Sequence, residues 1–294
     1  WLYPLDECSA EIVTRLAPLA AAEMVNGRYL LDLDDPALPV VLDEAESVKG
    51  FWVSVQPVFS SAELRTVTHF ELVCRKLISE TRKDFEWNNA AKDKAPLFNA
   101  GGESSIRLLR DLTLTHIRLK PNMVGGIGDW TQEYVVGSGV ATAFQTANLS
   151  GLSFLPVRNA KTGTPHEGFS QIFSESILKP ATIDCSVERI NSPFHEENGR
   201  LRHLGCLSYA ADELEHTEDF SRTSEPWGGW HGWPLWVVRA KVKEIFTEQK
   251  LRGWVFGPVL ITNTDLYVDY VRQWERLCRV VGQCTKSKFS SGRW

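Results

Sequence analysis

The chain has 294 residues, of which 43% are hydrophobic and 23% charged, with a net charge of −5. That is enough apolar material for a sizeable globular core. The acidic balance argues against nucleic-acid binding as a property of the whole chain, because phosphate contacts need clustered Lys and Arg, and no run of about 18 apolar residues predicts a transmembrane helix.

The first residues, Trp1-Leu2-Tyr3-Pro4, lack Met and lack the basic and apolar regions of a signal peptide. A helix is predicted over about 10–24, with short strands around 29–33 and 50–58. Residues 66–77 are rich in β-formers and predict a strand. The charged stretch 80–94 reads as a solvated helix or loop. Residues 112–120 alternate loosely and predict a strand with a bulge or with two buried faces. Glycines 125, 126 and 128 mark 121–130 as a turn region.

One stretch then occurs twice. Residues 134–157 align without a gap on 236–259, and nine of the 24 paired positions are identical, among them Val135/Val237, Phe144/Phe246, Gly151/Gly253 and Pro156/Pro258. Self-similarity of this length outranks a short motif as evidence. Each copy starts with a β-branched and aromatic run. Val140 and Phe144, or Val242 and Phe246, then fall on one helical stripe. Gly151 or Gly253 can end that helix in a left-handed conformation. A second strand follows, with its proline at an edge or end. None of the nine shared residues is ionisable or nucleophilic, so they read as core and turn positions.

Between the copies, 158–169 reads as a loop, 177–187 as a strand interrupted at Pro180, 194–202 as a polar loop, and 203–211 as a strand. After the second copy, 265–281 is amphipathic and predicts a closing helix, with Thr264 as its cap. Lys286–Arg293 reads as a solvated tail. The predicted fold is α+β, with two related strand–helix–strand units in one compact body. Residues 1–120 form an unassigned N-terminal α+β part, and 121–294 contain the duplicated region and the closing helix.

No catalytic signature is present: HExxH, GxxxxGK[ST], GxSxG and a strand-linked GxGxxG are all missing. No catalytic residue and no cofactor is predicted. Six cysteines, at 8, 74, 185, 206, 278 and 284, are scattered without a CxxC pair and read as free thiols of a reducing cytosol. His203-Leu204-Gly205-Cys206 has the gap of a zinc knuckle, with Cys185 and His195 upstream, but the outer spacing is irregular and no metal site is predicted.

The most unusual composition is Trp227-Gly228-Gly229-Trp230-His231-Gly232-Trp233-Pro234-Leu235-Trp236. Tryptophan at every third residue reads either as an aromatic platform for a partner or as a glycine-kinked loop whose indoles plug the core. Trp236 is core by its match to Tyr134. Just upstream, Asp212, Glu213, Glu215, Glu218, Asp219 and Glu225 form the most acidic stretch. It is either a solvated face or a lure for a basic partner. Glu218, Asp219, Trp227, Trp230 and Trp233 are the predicted partner-binding residues.

The repeated pattern, Val-Val, a helix, then Leu-x-Gly-x-x-Phe-x-Pro-Val, resembles that of bacterial immunity proteins of polymorphic toxin systems, in particular the double-CxxCG type of myxobacteria and related bacteria. The resemblance covers about 130–260. The first CxxCG has no counterpart here, and the second survives only as His203-x-x-Cys206. What the resemblance implies is a cytoplasmic, non-catalytic protein that neutralises a cognate toxin by occlusion. It implies no site list, because toxin contacts vary with the toxin. Two other classes fit the same residues: a hydrolase or transferase with an unrecognised site, and a ligand-binding module using the tryptophan-rich loop.

Overall fold

The computed structural model describes residues 57–79, 112–127, 132–190, 200–203, 205–225, 227 and 233–280, with short strands at 2–4, 24–25, 28–29, 51–55, 98–100, 106–108 and 289–291 and the single residues 35, 36 and 38. The predicted helix over 10–24, the charged stretch 80–94, His195, Trp230 and the basic tail lie outside or almost wholly outside these residues.

In chain order, β1 (Leu2–Pro4), β2 (Met24–Val25), β3 (Arg28–Tyr29) and β4 (Phe51–Val55) precede helix α1 (Ser61–Thr66). Then come β5 (His69–Cys74), β6 (Leu77–Ser79), β7 (Phe98–Ala100), β8 (Ile106–Leu108), β9 (Thr113–Leu114), β10 (Val124–Ile127), β11 (Tyr134–Gly137), α2 (Ser138–Thr146), β12 (Ser153–Asn159) and β13 (Pro165–Phe173). The remainder is β14 (Val187–Ile190), β15 (Arg200–His203), β16 (Ser208–Tyr209), α3 (Ala211–Leu214), β17 (Phe220–Arg222), β18 (Trp236–Arg239), α4 (Ala240–Glu248), β19 (Trp254–Ile261), α5 (Asp265–Val280) and β20 (Phe289–Ser291).

The protein is α+β. Two sheets dominate, in the orders β6-β10-β11-β13-β12-β9 and β16-β19-β5-β18-β17. A third joins β2-β3-β1-β4-β20, and β7–β8 and β14–β15 are separate hairpins. Strands from both sides of residue 120 share the two large sheets: β5 lies in the middle of the second, and β6 and β9 edge the first.

Local sequence explains several element ends. Ser60 and Glu63 cap α1 reciprocally: the Glu63 N–H donates to Ser60 Oγ at 3.2 Å, and the Ser60 N–H donates to the Glu63 carboxylate at 2.6 Å. Thr264 caps α5 as predicted, accepting from the Tyr267 N–H at 3.3 Å. Helices α2 and α4 end at left-handed Asn148 (φ 49°) and Lys250 (φ 52°) rather than at the predicted glycines. The next N–H, of Leu149 or Leu251, returns to the carbonyl of Phe144 or Phe246, closing a Schellman turn.

Gly151 (φ 71°) and Gly253 (φ 114°) serve a different need. A Cβ at Gly151 would collide with the Phe220 carbonyl, and one at Gly253 with the Val124 carbonyl. Gly253→Val therefore combines positive φ with a backbone clash, and is expected to destabilise by about 1–3 kcal/mol. Urea unfolding beside the parent protein checks this.

Three predicted boundaries move. The turn region 121–130 contains β10, where Gly125 and Gly126 are strand residues; a Cβ on Gly125 would strike Ile78. The loop 158–169 is largely the hairpin joining β12 to β13, turning at Asn159–Thr164. The predicted strand over 177–187 reduces to a bridge between Ile177 and Arg222 and the first residue of β14.

The main core lies between the two large sheets. Val140 and Phe144 of α2 and Val242 and Phe246 of α4 enter it with Phe70, Leu72, Tyr134, Val136, Phe220, Trp236, Val238 and Trp254. Trp254 stacks on Phe144 and Phe246, at ring-centroid distances of 5.9 and 5.5 Å. Tyr134 stacks on Trp236 at 6.1 Å. A second cluster, around Tyr209, Trp227 and Val237, and a third, around Val135, Val157 and Trp233, are packed separately from this core.

Candidate interaction surface

The acidic stretch is held between β16 and β18. Helix α3 starts with the Ala210 N–H donating to the Glu213 carboxylate at 3.0 Å, and buries Leu214. Asp212, Glu215, His216 and Glu218 are exposed. The segment is pinned at Thr217, whose hydroxyl lies 2.9 Å from His69 Nε2 and donates to the Leu214 carbonyl. Thr217 has one proton to give, so His69 carries its proton on Nε2, and Nδ1 accepts from the Thr68 hydroxyl at 2.9 Å.

His69 is only 4% exposed. Burial, aided by the nearby Arg239 charge, lowers its pKa from 6.5 to about 4. The folded protein thus resists a proton that the unfolded chain accepts. Stability contributed by neutral His69 is complete above about pH 6.5 and is lost as pH falls towards 4. We expect a decline of about 1–3 kcal/mol across that window. Denaturant unfolding at pH 7 and 4.5 measures it, and His69→Gln should flatten the dependence.

Asp219 is not an accessible contact. It is 8% exposed, accepts from the Ser150 N–H at 3.0 Å and the Ser150 hydroxyl at 3.3 Å, and lies 3.6 Å from Lys241 Nζ. Its own N–H donates to Ser150 Oγ at 2.9 Å. Asp219 therefore ties the acidic segment to the turn after α2. Glu225 is half-buried: its carboxylate accepts from the Ala181 N–H and the Ser224 hydroxyl, and burial raises its pKa.

Trp227 and Trp233 correct the anchor expectation. They are 2% and 3% exposed, and they pack into two different apolar clusters. Each backbone N–H donates to the other's carbonyl at 2.9 Å, so the two residues form a closed antiparallel pair. Indoles so covered cannot reach a partner without opening the fold. Of the five predicted contact residues, Glu218 is exposed, Asp219, Trp227 and Trp233 are buried, and Trp230 sits between the paired tryptophans, outside the described residues.

Three buried polar groups stand beside the segment without having been singled out from sequence. Arg222 donates through Nε and Nη2 to the Pro234 carbonyl, at 3.2 and 2.8 Å, and its Nη1 lies 3.8 Å from Glu133 Oε1. Its guanidinium carbon is 4.4 Å from the centre of a Trp236 ring. Gln171 Nε2 donates to Glu133 Oε2 at 2.8 Å. Burial raises the Glu133 pKa and lowers that of Arg222, while the mutual attraction opposes both shifts. The one available signal was Glu133 directly before the apolar run Tyr134-Val135-Val136; Arg222, among Ser221, Thr223 and Ser224, gave none.

Cys206 is a buried thiol whose pKa burial pushes well above the usual value, and its N–H donates to the Tyr270 hydroxyl oxygen at 2.8 Å. His203 is the last residue of β15. Among the described residues no three His, Cys, Asp or Glu side chains are placed to share a metal, and no helix is long and apolar enough to cross a membrane. Between β9 and β10 the chain exposes His116, Arg118 and Lys120, opposite in charge to the acidic stretch between β16 and β17.

Comparison with protein-family models and with curated proteins finds no match to this chain.

Proposed function

We propose that this protein is a non-catalytic, immunity-type binding protein of the bacterial cytoplasm that neutralises a cognate toxin. The observation that carries the reading is the mounting of the acidic side chains. Asp212, Glu215 and Glu218 project from a segment fastened through Glu213, Thr217 and Asp219. A fastened charged surface loses little conformational freedom on binding and favours a basic partner. The repeated strand–helix–strand pattern and its resemblance to immunity proteins point the same way.

Co-expression with the toxin encoded immediately upstream is the direct test. Co-purification and restored growth are expected; a toxin left active and unbound would end the proposal. Within that pair, Glu215→Lys with Glu218→Lys should slow association about tenfold at low ionic strength, and much less in high salt. Reversing Arg118 and Lys120 should not slow it. Equal rates for the parent and the acidic-site variant would remove this surface from the interface. Trp230→Ala should weaken binding while leaving the melting temperature unchanged.

A further inference from the structure

We infer that the chain consists of two copies of one larger repeat, His69–Asn159 and Phe169–Ile261, each of which lends its first strand to the centre of the other's sheet. The inference is independent of the proposed function. It starts from the pairing of the two central strands. In the first sheet β13 lies between β11 and β12, antiparallel to both, so that Gln171 faces Val135 on one side and Leu155 on the other. In the second sheet β5 lies between β18 and β19, also antiparallel to both, and Glu71 faces Val237 and Gly257. Val237 and Gly257 are the repeat equivalents of Val135 and Leu155, so the two central strands stand in one register.

The agreement extends to the flanking strands, although β12–β13 shifts register after Pro156 and β19–β5 does not. Val124 of β10 pairs with Val136, and Phe220 of β17 pairs with the equivalent Val238. Gly126 is bridged in parallel by Leu77, and Arg222 by Ile177. On the other edge, Thr113 of β9 runs parallel to Arg158, and Ser208 of β16 runs parallel to the equivalent Leu260. An antiparallel pair, β7–β8 or β14–β15, comes at the same point in the chain order of each copy. The copies thus share an element order: central strand, bridge, hairpin, edge strand, outer strand, strand, helix, strand.

The seam between the copies is reciprocal, as a two-fold contact must be. The Val124 N–H donates to the Arg252 carbonyl at 2.8 Å, and the Phe220 N–H donates to the Ser150 carbonyl at 3.1 Å. Gly253 lies under the Val124 carbonyl and Gly151 under the Phe220 carbonyl. Tyr134 and Trp236, equivalent positions, stack on each other across it. In chain order β5 begins the first copy and β13 the second, yet each completes the opposite sheet. The partner that each half fits is the other half.

The test uses the full chain with a protease recognition sequence inserted after Thr162, in the exposed turn between the copies, where nothing lies within 4 Å of a Cβ added at Gly163. Four substitutions, Val73→Cys, Ser153→Cys, Phe173→Cys and Val255→Cys, occupy the paired positions Val73–Val255 and Ser153–Phe173. After cleavage and oxidation by oxidised glutathione, peptide mapping should find 73 joined to 255 and 153 joined to 173, both across the cut. Two copies without exchange would join 73 to 153 and 173 to 255, each within one fragment, and that result overturns the inference. So does a single cross-fragment link without its counterpart. In the parent sequence carrying only the cleavage site, the fragments separated in urea should regain a cooperative melt only when mixed. A cooperative melt from either fragment alone overturns the exchange as well.

Discussion

Arg222→Met is expected to cost about 3–5 kcal/mol, the range for breaking a buried ion pair from one side. Its guanidinium is covered by the fold, with the Pro234 carbonyl, the Glu133 carboxylate and the Trp236 ring around it. Methionine fills much of the volume but leaves Glu133, 3% exposed, without its nearby cation. Burial already raises the Glu133 pKa. The stability associated with a raised carboxyl pKa is complete below the unfolded value and is lost as pH rises through the folded one. The Arg222→Met penalty relative to parent should therefore be smaller at pH 4 than at pH 7. Glu133→Gln combined with Arg222→Met should recover part of the loss, because no buried charge is then stranded. Equilibrium denaturation of both single variants and the double variant decides the matter. A loss under about 1 kcal/mol for Arg222→Met would show that the site reorganises or admits water.

Trp227→Ala is expected to cost about 3–5 kcal/mol, as truncation of a buried tryptophan does. The indole is packed among Leu178, Leu201, Leu207, Tyr209 and Leu235, and the backbone of Trp227 pairs with that of Trp233. Alanine removes the packing and keeps the backbone pairing. The variant should unfold at lower urea, yet bind the toxin normally wherever it remains folded. An unchanged unfolding midpoint together with lost binding would restore Trp227 as a contact residue.

Much of this architecture was legible where the chain's periodicity reports a local element. The helix stripe Val140–Phe144, its counterpart Val242–Phe246 and the closing helix behind Thr264 all depend on neighbours a few residues away. The glycines at 125 and 126 misled because glycine marks close approach as well as turns, and only the packing of Ile78 distinguishes the two. The fate of the tryptophans was illegible for a related reason. Trp227 and Trp233 flank a glycine-rich sequence, as exposed anchors would, and their burial depends on apolar residues brought from distant strands. The position of β5 could not be read at all. Nothing in His69-Phe70-Glu71-Leu72-Val73-Cys74 says that its neighbours are β18 and β19.

That placement sets a timetable. β5 leaves the ribosome early, and its pairing partners Trp236–Arg239 and Trp254–Val259 emerge far later. At ordinary elongation speeds the wait is roughly 10–40 s, longer than most single domains take to fold. During it both hydrogen-bonding edges of β5 are open to any other nascent strand. Glu71, between Phe70 and Leu72, carries a charge that such mispairing would bury.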